Sequence, residues 1–489
     1  MPTISGRRRT IALLAILLAA FMDLMDVTIL YVVLPPLETD LHASPASVVW
    51  MSSGYTLALA LGLITGARIG DRLGHKRVFL AGMGGFLAAS VLCGLSVAPG
   101  MLVGARVVQG VFAAAMIPQV LSQIQVMYAP AERGAALAAY SALTPLAAAL
   151  GMVFGPLLVN WDLFGTGWRM VFFVNVVVGA VTMPVAWRLL PEGGRSRAAR
   201  LDLAGVGIST VGLVLVLYPL ITAAERPRWS GWATASVLAG LAVLAGFVAH
   251  QRRLALRGGE PLLRMGLLRI RTLSAGLVVQ LTYLAPIVGF FLVFMQFLQL
   301  GLGYGAMRAG LMLLPWSIVV AVVAGVSAGV LLPKIGRLTI QIGLVLNAAG
   351  FALLALAAAG ATGATGWTAF LPGVLVGAAG MGLVTSPIAV LTLTDVPPAE
   401  AGTGSGLFNT TGQLGNSIGV AVIGTVFFAR LHGGPDGSRV RDFGDAMATS
   451  LWLGIGLLAL ALAASFLLPR HHRPDPAPDE SPEQAMVTA

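Results

Sequence analysis

Apolar residues run along this chain in long, nearly unbroken blocks. They do not alternate as a half-buried strand would, and they lack the one-sided stripe of a soluble helix. Blocks long enough to cross a hydrocarbon core fall at about 11–34, 47–69, 78–98, 101–127, 135–159, 170–190, 203–221, 232–250, 272–298, 309–332, 339–360, 367–394, 403–429 and 447–468. Gly- and Pro-bearing turns separate them. The pattern predicts an all-α integral membrane protein with fourteen transmembrane helices. The segments of a membrane β-barrel would be shorter and would alternate.

Composition agrees with this reading. Of the 489 residues, 57% are hydrophobic and 10% charged, against about 25% charged in a soluble domain. Sixty-one glycines suit closely packed membrane helices. A net charge of +10 would suit nucleic acid, but the basic residues are scattered in short clusters between apolar blocks, so nucleic acid is excluded. With the N-terminus in the cytoplasm, 22 of the 30 basic residues fall in inner segments and 7 in outer ones, and Arg106 remains inside a span. This bias favours an even number of spans with both termini cytoplasmic in the cell membrane. Cys93 is the only cysteine, so no intramolecular disulfide forms. The first block is too long for a signal-peptide core and lacks a cleavage site. The tail 471–489 is Pro-rich and polar, and reads as disordered.

The first block, Ile11–Pro35, holds the sharpest chemical signal, since Asp23 and Asp26 lie near its middle. One carboxylate at mid-membrane costs roughly 2.5–3.5 kcal/mol, and such residues are functional by default. The i, i+3 spacing puts both on one helix face, where mutual repulsion favours holding a proton. The alternative is that they cap a neighbouring group or line a solvated helix end. Arg106 poses the same question in the fourth block: a buried arginine needs a partner or a water-filled cavity, unless it snorkels from the end of its run. Gly151 and Gly155, followed by Pro156, have the spacing of close helix packing with a kink. After the second block, Gly66-Ala-Arg-Ile-Gly-Asp71-Arg72-Leu-Gly74-His-Lys76-Arg77 makes a short basic loop with one acid. No metal-ligand cluster, nucleophile–base pair or phosphate-binding loop occurs, so neither an enzyme nor direct ATP use is expected.

Several of these stretches resemble the major facilitator superfamily. The Gly66–Arg77 loop is similar to its signature loop, with Ala67 and His75 as departures. Arg106-Val-Val-Gln109-Gly110 resembles its fourth-helix motif, and Gly151-Met-Val-Phe-Gly155-Pro156 resembles its antiporter motif, although Val159 and Asn160 stand where two glycines are usual. Asp26-Val-Thr28 with Leu34-Pro35, Trp168-Arg169 through Asn175, Leu201-Asp202 through Gly205, Gln296 through Gln299, and Gly402 through Gly415 resemble the fourteen-helix drug:proton antiporters.

The resemblance implies two six-helix bundles, 1–200 and 253–470, with two inserted helices in 201–252. It implies proton-coupled export of an amphiphilic drug or antibiotic by alternating access, driven by the proton motive force without a cofactor, by a monomer in the bilayer. Proton coupling falls to Asp26, Asp23 and Arg106. A conformational latch falls to Asp71, Arg72, Gly74, Lys76 and Arg77, and the antiporter motif to Gly151, Gly155 and Pro156. Met22, Met25, Gln109, Tyr283, Gln296, Asn409 and Gln413 are candidates for a substrate cavity, as are Gln280 and Asn347, each with ordinary helix packing as the alternative. Asp202 and Asp395 read as structural. A transporter of one specific metabolite or self-made antibiotic, and a non-transporting membrane sensor, remain as alternatives.

Overall fold

The computed structural model describes residues 6–470 except 129–131, 162–164, 193–201, 223–229, 260, 263–265, 398–399 and 432–438. The expected tail, the 200/201 boundary and most of the linker before it therefore lie outside the described residues.

Fourteen long helices follow one another: α1 Arg7–Leu41, α2 Pro45–Leu73, α3 His75–Gly94, α4 Pro99–Met127, α5 Arg133–Trp161, α6 Met170–Leu189 and α7 Leu203–Thr222. Then come α8 Gly231–Leu256, α9 Arg271–Gln296, α10 Ala306–Ile335, α11 Leu338–Ala359, α12 Leu371–Leu393, α13 Ala401–Leu431 and α14 Arg439–Ser465. Among the described residues, thirteen are long and apolar enough to cross a membrane, and α5, at 29 residues, is the remaining one. Prolines inside α1, α4, α6, α9 and α12 are tolerated because neighbouring helices shield the freed backbone groups from lipid.

The helices sort into two groups by packing. In the first half, α1 packs on α5 and α6, α2 on α4, and α3 on α4 and α6; in the second, α9 packs on α13 and α14, α11 on α12 and α14, and α10 on α12. The second group has an aromatic centre, where the Phe290 ring lies 5.1 Å from Phe294, 5.0 Å from Trp316 and 5.3 Å from Phe351. The groups meet along two seams, α2 against α13 and α5 against α10.

The α7–α8 pair lies over the first seam. Tyr218 of α7 contacts Trp50 of α2, and Thr425 of α13 donates to the Leu220 carbonyl of α7. Asp202 caps α7 by accepting from the Gly205 N–H, and it also bonds His250 and Gln251 of α8. Burial pushes its carboxyl up, but these hydrogen bonds outweigh burial and hold it below the usual carboxylate range.

Close packing explains the glycines of the α2–α3 stretch. A Cβ on Gly66 would lie 2.0 Å from the Ala114 carbonyl oxygen of α4, and one on Gly70 would lie 2.0 Å from Gln119 Oε1. Gly74 turns the chain at φ 101°, which side-chain-bearing residues rarely adopt. A Cβ on Gly104, also on α4, would meet no atom within 4 Å. Gly66→Ala should therefore cost about 1–3 kcal/mol by forcing α2 from α4, and Gly104→Ala should be neutral. Thermal melting of the two purified variants in detergent checks this, and equal melting temperatures would refute it.

Candidate functional site

Six of the side chains that matter converge inside the first helix group around Asp26. α1 supplies Asp23 and Asp26, α2 Tyr55, α3 Ser90, α4 Arg106 and Gln109, and α6 Asn175; all are buried. Asp26 Oδ2 accepts from Arg106 Nη1 in a short ion pair. Its other oxygen accepts from Asn175 Nδ2 at 2.7 Å and Gln109 Nε2 at 3.2 Å. Arg106 donates further to Gln109 Oε1 at 2.7 Å and, through Nε, to the Met51 carbonyl at 3.2 Å. Its guanidinium lies 4.2 Å from the Tyr55 ring centroid, a cation–π contact between buried groups. Gln109 and Asn175 both reach Ser90 Oγ, at 2.9 and 3.4 Å. Cys93 lies beside them, 3.7 Å from Gln109 Oε1.

Asp23 and Asp26 have different partners. Asp23 Oδ1 accepts a short hydrogen bond from the Tyr55 hydroxyl. Tyr55 therefore stands between them: its hydroxyl holds Asp23, and its ring faces the cation that holds Asp26. One guanidinium and two carboxyls occupy the cluster, so it is neutral with one carboxyl protonated and carries one net negative charge with both ionised.

The residues of the antiporter-like motif press on this cluster from α5. A Cβ on Gly151 would lie 2.2 Å from Thr28 Oγ1, and one on Gly155 would lie 3.4 Å from Ile29. Thr28 Oγ1 also donates to the Ala147 carbonyl at 3.2 Å. The contact sits within a turn of Asp26, and Pro156 beside it is buried.

The Asp71–Arg77 stretch closes the turn between α2 and α3. Asp71 approaches His75 at 3.7 Å, His75 Nδ1 meets Gln119 Oε1 at 2.9 Å, and Gln119 Nε2 donates to the Gly66 carbonyl at 2.8 Å. Arg77 approaches Glu192 beyond α6 at 3.7 Å. Arg72 is exposed and Lys76 half-buried. The loop thereby joins α2, α3 and α4 and reaches the segment after α6.

The cavity candidates are dispersed. Met22 packs with Leu59, Phe86 and Ala113 in the first group's core, and Met25 belongs to the large cluster shared by both groups. Gln109 sits in the Asp26 network. Tyr283 is buried with its hydroxyl 3.5 Å from the Met381 carbonyl, and Asn347 donates to the Gly377 carbonyl at 2.9 Å. Gln280 is mostly buried, close to Gly412. Gln296 bonds Glu38 of α1. On α13, Gln413 accepts from Asn416 and is half-buried, while Asn409 is exposed, as is Asp395 before that helix.

Tyr55, Ser90 and Asn175 were not singled out as site residues from the sequence. Asn175 had a signal, since it closes the Trp168–Asn175 motif; Tyr55 and Ser90 had none beyond being polar in apolar blocks.

Comparison with known proteins fits this architecture. The family model of the Major Facilitator Superfamily matches residues 16–420. The chain is 42% identical over 424 residues, 87% of its length and 73% of the relative's, to a protein of Streptomyces coelicolor named as a probable actinorhodin transporter. It is 34% identical to the tetracenomycin C resistance and export protein of Streptomyces glaucescens, over 86% of this chain and 76% of that one. It is 32% identical to the puromycin resistance protein pur8 of Streptomyces alboniger, over 94% and 91%. Among solved structures it resembles a bacterial homologue of the human lysosomal transporter Spinster, inward-facing and unoccupied, with a TM-score of 0.64 at 19% identity over 97% of this chain and 100% of that one. The chain belongs to the Major Facilitator Superfamily. It is a multi-pass membrane transporter rather than an enzyme, and this family generally needs no cofactor.

Removing one partner from a buried ion pair leaves an uncompensated charge, which typically costs about 3–5 kcal/mol. Arg106→Ala should therefore destabilise strongly, and Asp26→Asn added to it should restore part of the loss. A double-mutant cycle of thermal unfolding reads this directly; additive losses would show that the pair carries no coupling.

Proposed function

We propose that this protein is a proton-coupled antiporter that exports an amphiphilic antibiotic or drug across the cytoplasmic membrane by alternating access. The observation that carries the reading is the Asp26–Arg106 pair with its ring of Gln109, Asn175 and Ser90, buried in a transporter whose relatives are named for antibiotic export and resistance. A proton arriving on Asp26 cancels its attraction for Arg106. The guanidinium then has Asp23 as its remaining carboxylate neighbour, across the Tyr55 ring. Helices α1, α2, α4 and α6 shift against one another in response, because each supplies a member of the network. Loss of the proton leaves one net negative charge in the cluster, which favours a cationic substrate nearby. Proton and substrate thus compete for the same charge without touching.

The remaining parts take roles in this cycle. Asp71, Arg72, Gly74, Lys76 and Arg77 act as the latch that keeps α2, α3 and α4 in register, and Gly151, Gly155 and Pro156 let α5 slide on α1. Gln280, Gln413 and Asn409 face the substrate path from the second bundle. With both termini in the cytoplasm, the inter-bundle bonds at Glu38, Val32 and Ser53 lie toward the outer side, an inward-facing arrangement. The working unit is a monomer.

A second reading differs in breadth rather than mechanism: one self-made natural product instead of many drugs. The relative named as a probable actinorhodin transporter, at 42% identity, favours it. Asp26→Asn should abolish proton-driven uptake of substrate into everted vesicles, with uptake normalised to the folded protein present, since the unpaired Arg106 also lowers stability. Normal uptake by Asp26→Asn, collapsed by an uncoupler as in wild type, would sink the assignment of Asp26. A susceptibility panel in a pump-deficient host, expressing each form, separates the broad from the narrow substrate range.

A further inference from the structure

Glu38 is an acid outside the Asp26 network, and its position is unusual. It lies on the last turn of α1, and its carboxylate Oε2 accepts from Gln296 Nε2 at 2.7 Å. Gln296 is the last residue of α9, so this bond joins the two bundles. One turn on, Gln299 Nε2 donates to the Val32 carbonyl of α1 at 2.8 Å, and the Tyr31 and Phe291 rings stack at 6.4 Å. These contacts set Gln296 beside Glu38 while that end is shut.

The Gln296 amide is only half satisfied. Its Oε1 is fully buried and has no hydrogen-bond partner. A carboxylate offers only acceptors, so it can serve the amide N–H but never the amide oxygen. Turning the amide by half a turn would set acceptor against acceptor. A carboxylic acid, by contrast, carries one donor and one acceptor, the complement of a primary amide. With a proton on Glu38, its O–H can supply the bond that Oε1 lacks, which removes the cost of a buried unpaired acceptor.

We propose that Glu38 and Gln296 form a proton-dependent clasp between the bundles. Protonated Glu38 pairs with the Gln296 amide through two hydrogen bonds and holds that end shut; ionised Glu38 pairs through one and lets it open. The proton has a path, since Glu38 is half-buried and the adjacent Thr39 and Asp40 are exposed.

The other titratable groups on the elements packed against α1 are engaged or remote. Asp40 accepts from Trp168 and Arg169 before α6, Tyr31 bonds Ser52 of α2, and Arg308 of α10 lies 3.8 Å from the Tyr304 ring. His42 follows α1 at the exposed surface. Tyr283 of α9 points at Met381, while Tyr55 and Arg106 bind Asp23 and Asp26. Arg68, Asp71 and Arg72 of α2, Arg133 of α5, Arg188 of α6, Arg271 of α9 and Lys334 of α10 lie at the opposite ends of their helices. The clasp takes its meaning for transport from the antiport reading: a proton taken from outside would shut the outer side behind it.

The test measures conformation alone. Gly100 and Gly363 lie at the clasp end of the first and second bundles, each with open space around it. Spin labels at Gly100→Cys and Gly363→Cys report the distance between bundles in lipid nanodiscs without substrate; the native Cys93 is buried. From about pH 4, below the ordinary glutamate value, to about pH 8, the ratio of short- to long-distance populations should fall about fourfold, most of the weight of one hydrogen bond. Glu38→Gln, which supplies a donor at every pH, should stay short throughout. Gln296→Met should remove most of the pH response, and both effects should persist with Asp26→Asn. A Glu38→Gln chain, or a Gln296→Met chain, that follows pH as wild type does overturns the clasp. Transport by Asp26→Asn speaks only to the antiport reading and leaves this measurement untouched.

Discussion

The structure depends on one buried guanidinium. Arg106 is almost completely buried, and an isolated charge at that depth would be too costly to keep. Its neutralisation by Asp26 is what permits a polar centre within the first bundle. Once it exists, every other polar group nearby must be served: Gln109 bridges cation and anion, Asn175 fills the second oxygen of Asp26, and Ser90 takes the remaining amide protons. The network is therefore also a positional constraint on five helices. On the proposed antiport cycle, a change in charge at Asp26 would be felt as a change in the position of these helices.

Small residues set how far the helices can respond. Gly66 and Gly70 hold α2 on α4 with no room for a methyl group, and Gly151 does the same for α5 on α1. Between helices in lipid, such contacts supply packing that the hydrophobic effect cannot. They leave smooth surfaces as well as close ones, so that the same residues that fix separation also allow sliding. The seam between the bundles differs in kind. There apolar contacts such as Gly424 on Val49 and Tyr31 on Phe291 are joined by a few polar bonds, at Glu38, at Gln299 and in the reciprocal Ser53–Ser417 pair.

Much of this was legible from the sequence, for identifiable reasons. Helix number and class follow from apolar block length, because the bilayer fixes how long a span must be. Asp23, Asp26 and Arg106 stood out because charges in apolar blocks are rare. Their pairing was not legible. Residues three apart on a helix share a side but differ by about 60° in direction, enough for Asp26 to meet α4 and α6 while Asp23 meets α2. The same limit applies to Met22 and Gln109, named for a cavity but turned into the first bundle. Helix rotation is decided by neighbours that sequence spacing does not reveal. Tyr55 and Glu38 escaped notice because a tyrosine, or an acid near a helix end, is ordinary until its partner is known.

The α7–α8 pair makes the molecule unequal on its two sides. Of the two lateral seams between bundles, the one between α2 and α13 is roofed by α7, through Tyr218 on Trp50 and Thr425 on Leu220; the one between α5 and α10 has no such cover among the described residues. The two flanks that face lipid are therefore unequal in depth: one seam lies under a further layer of helix, and the other is a single α5–α10 contact at the lipid boundary.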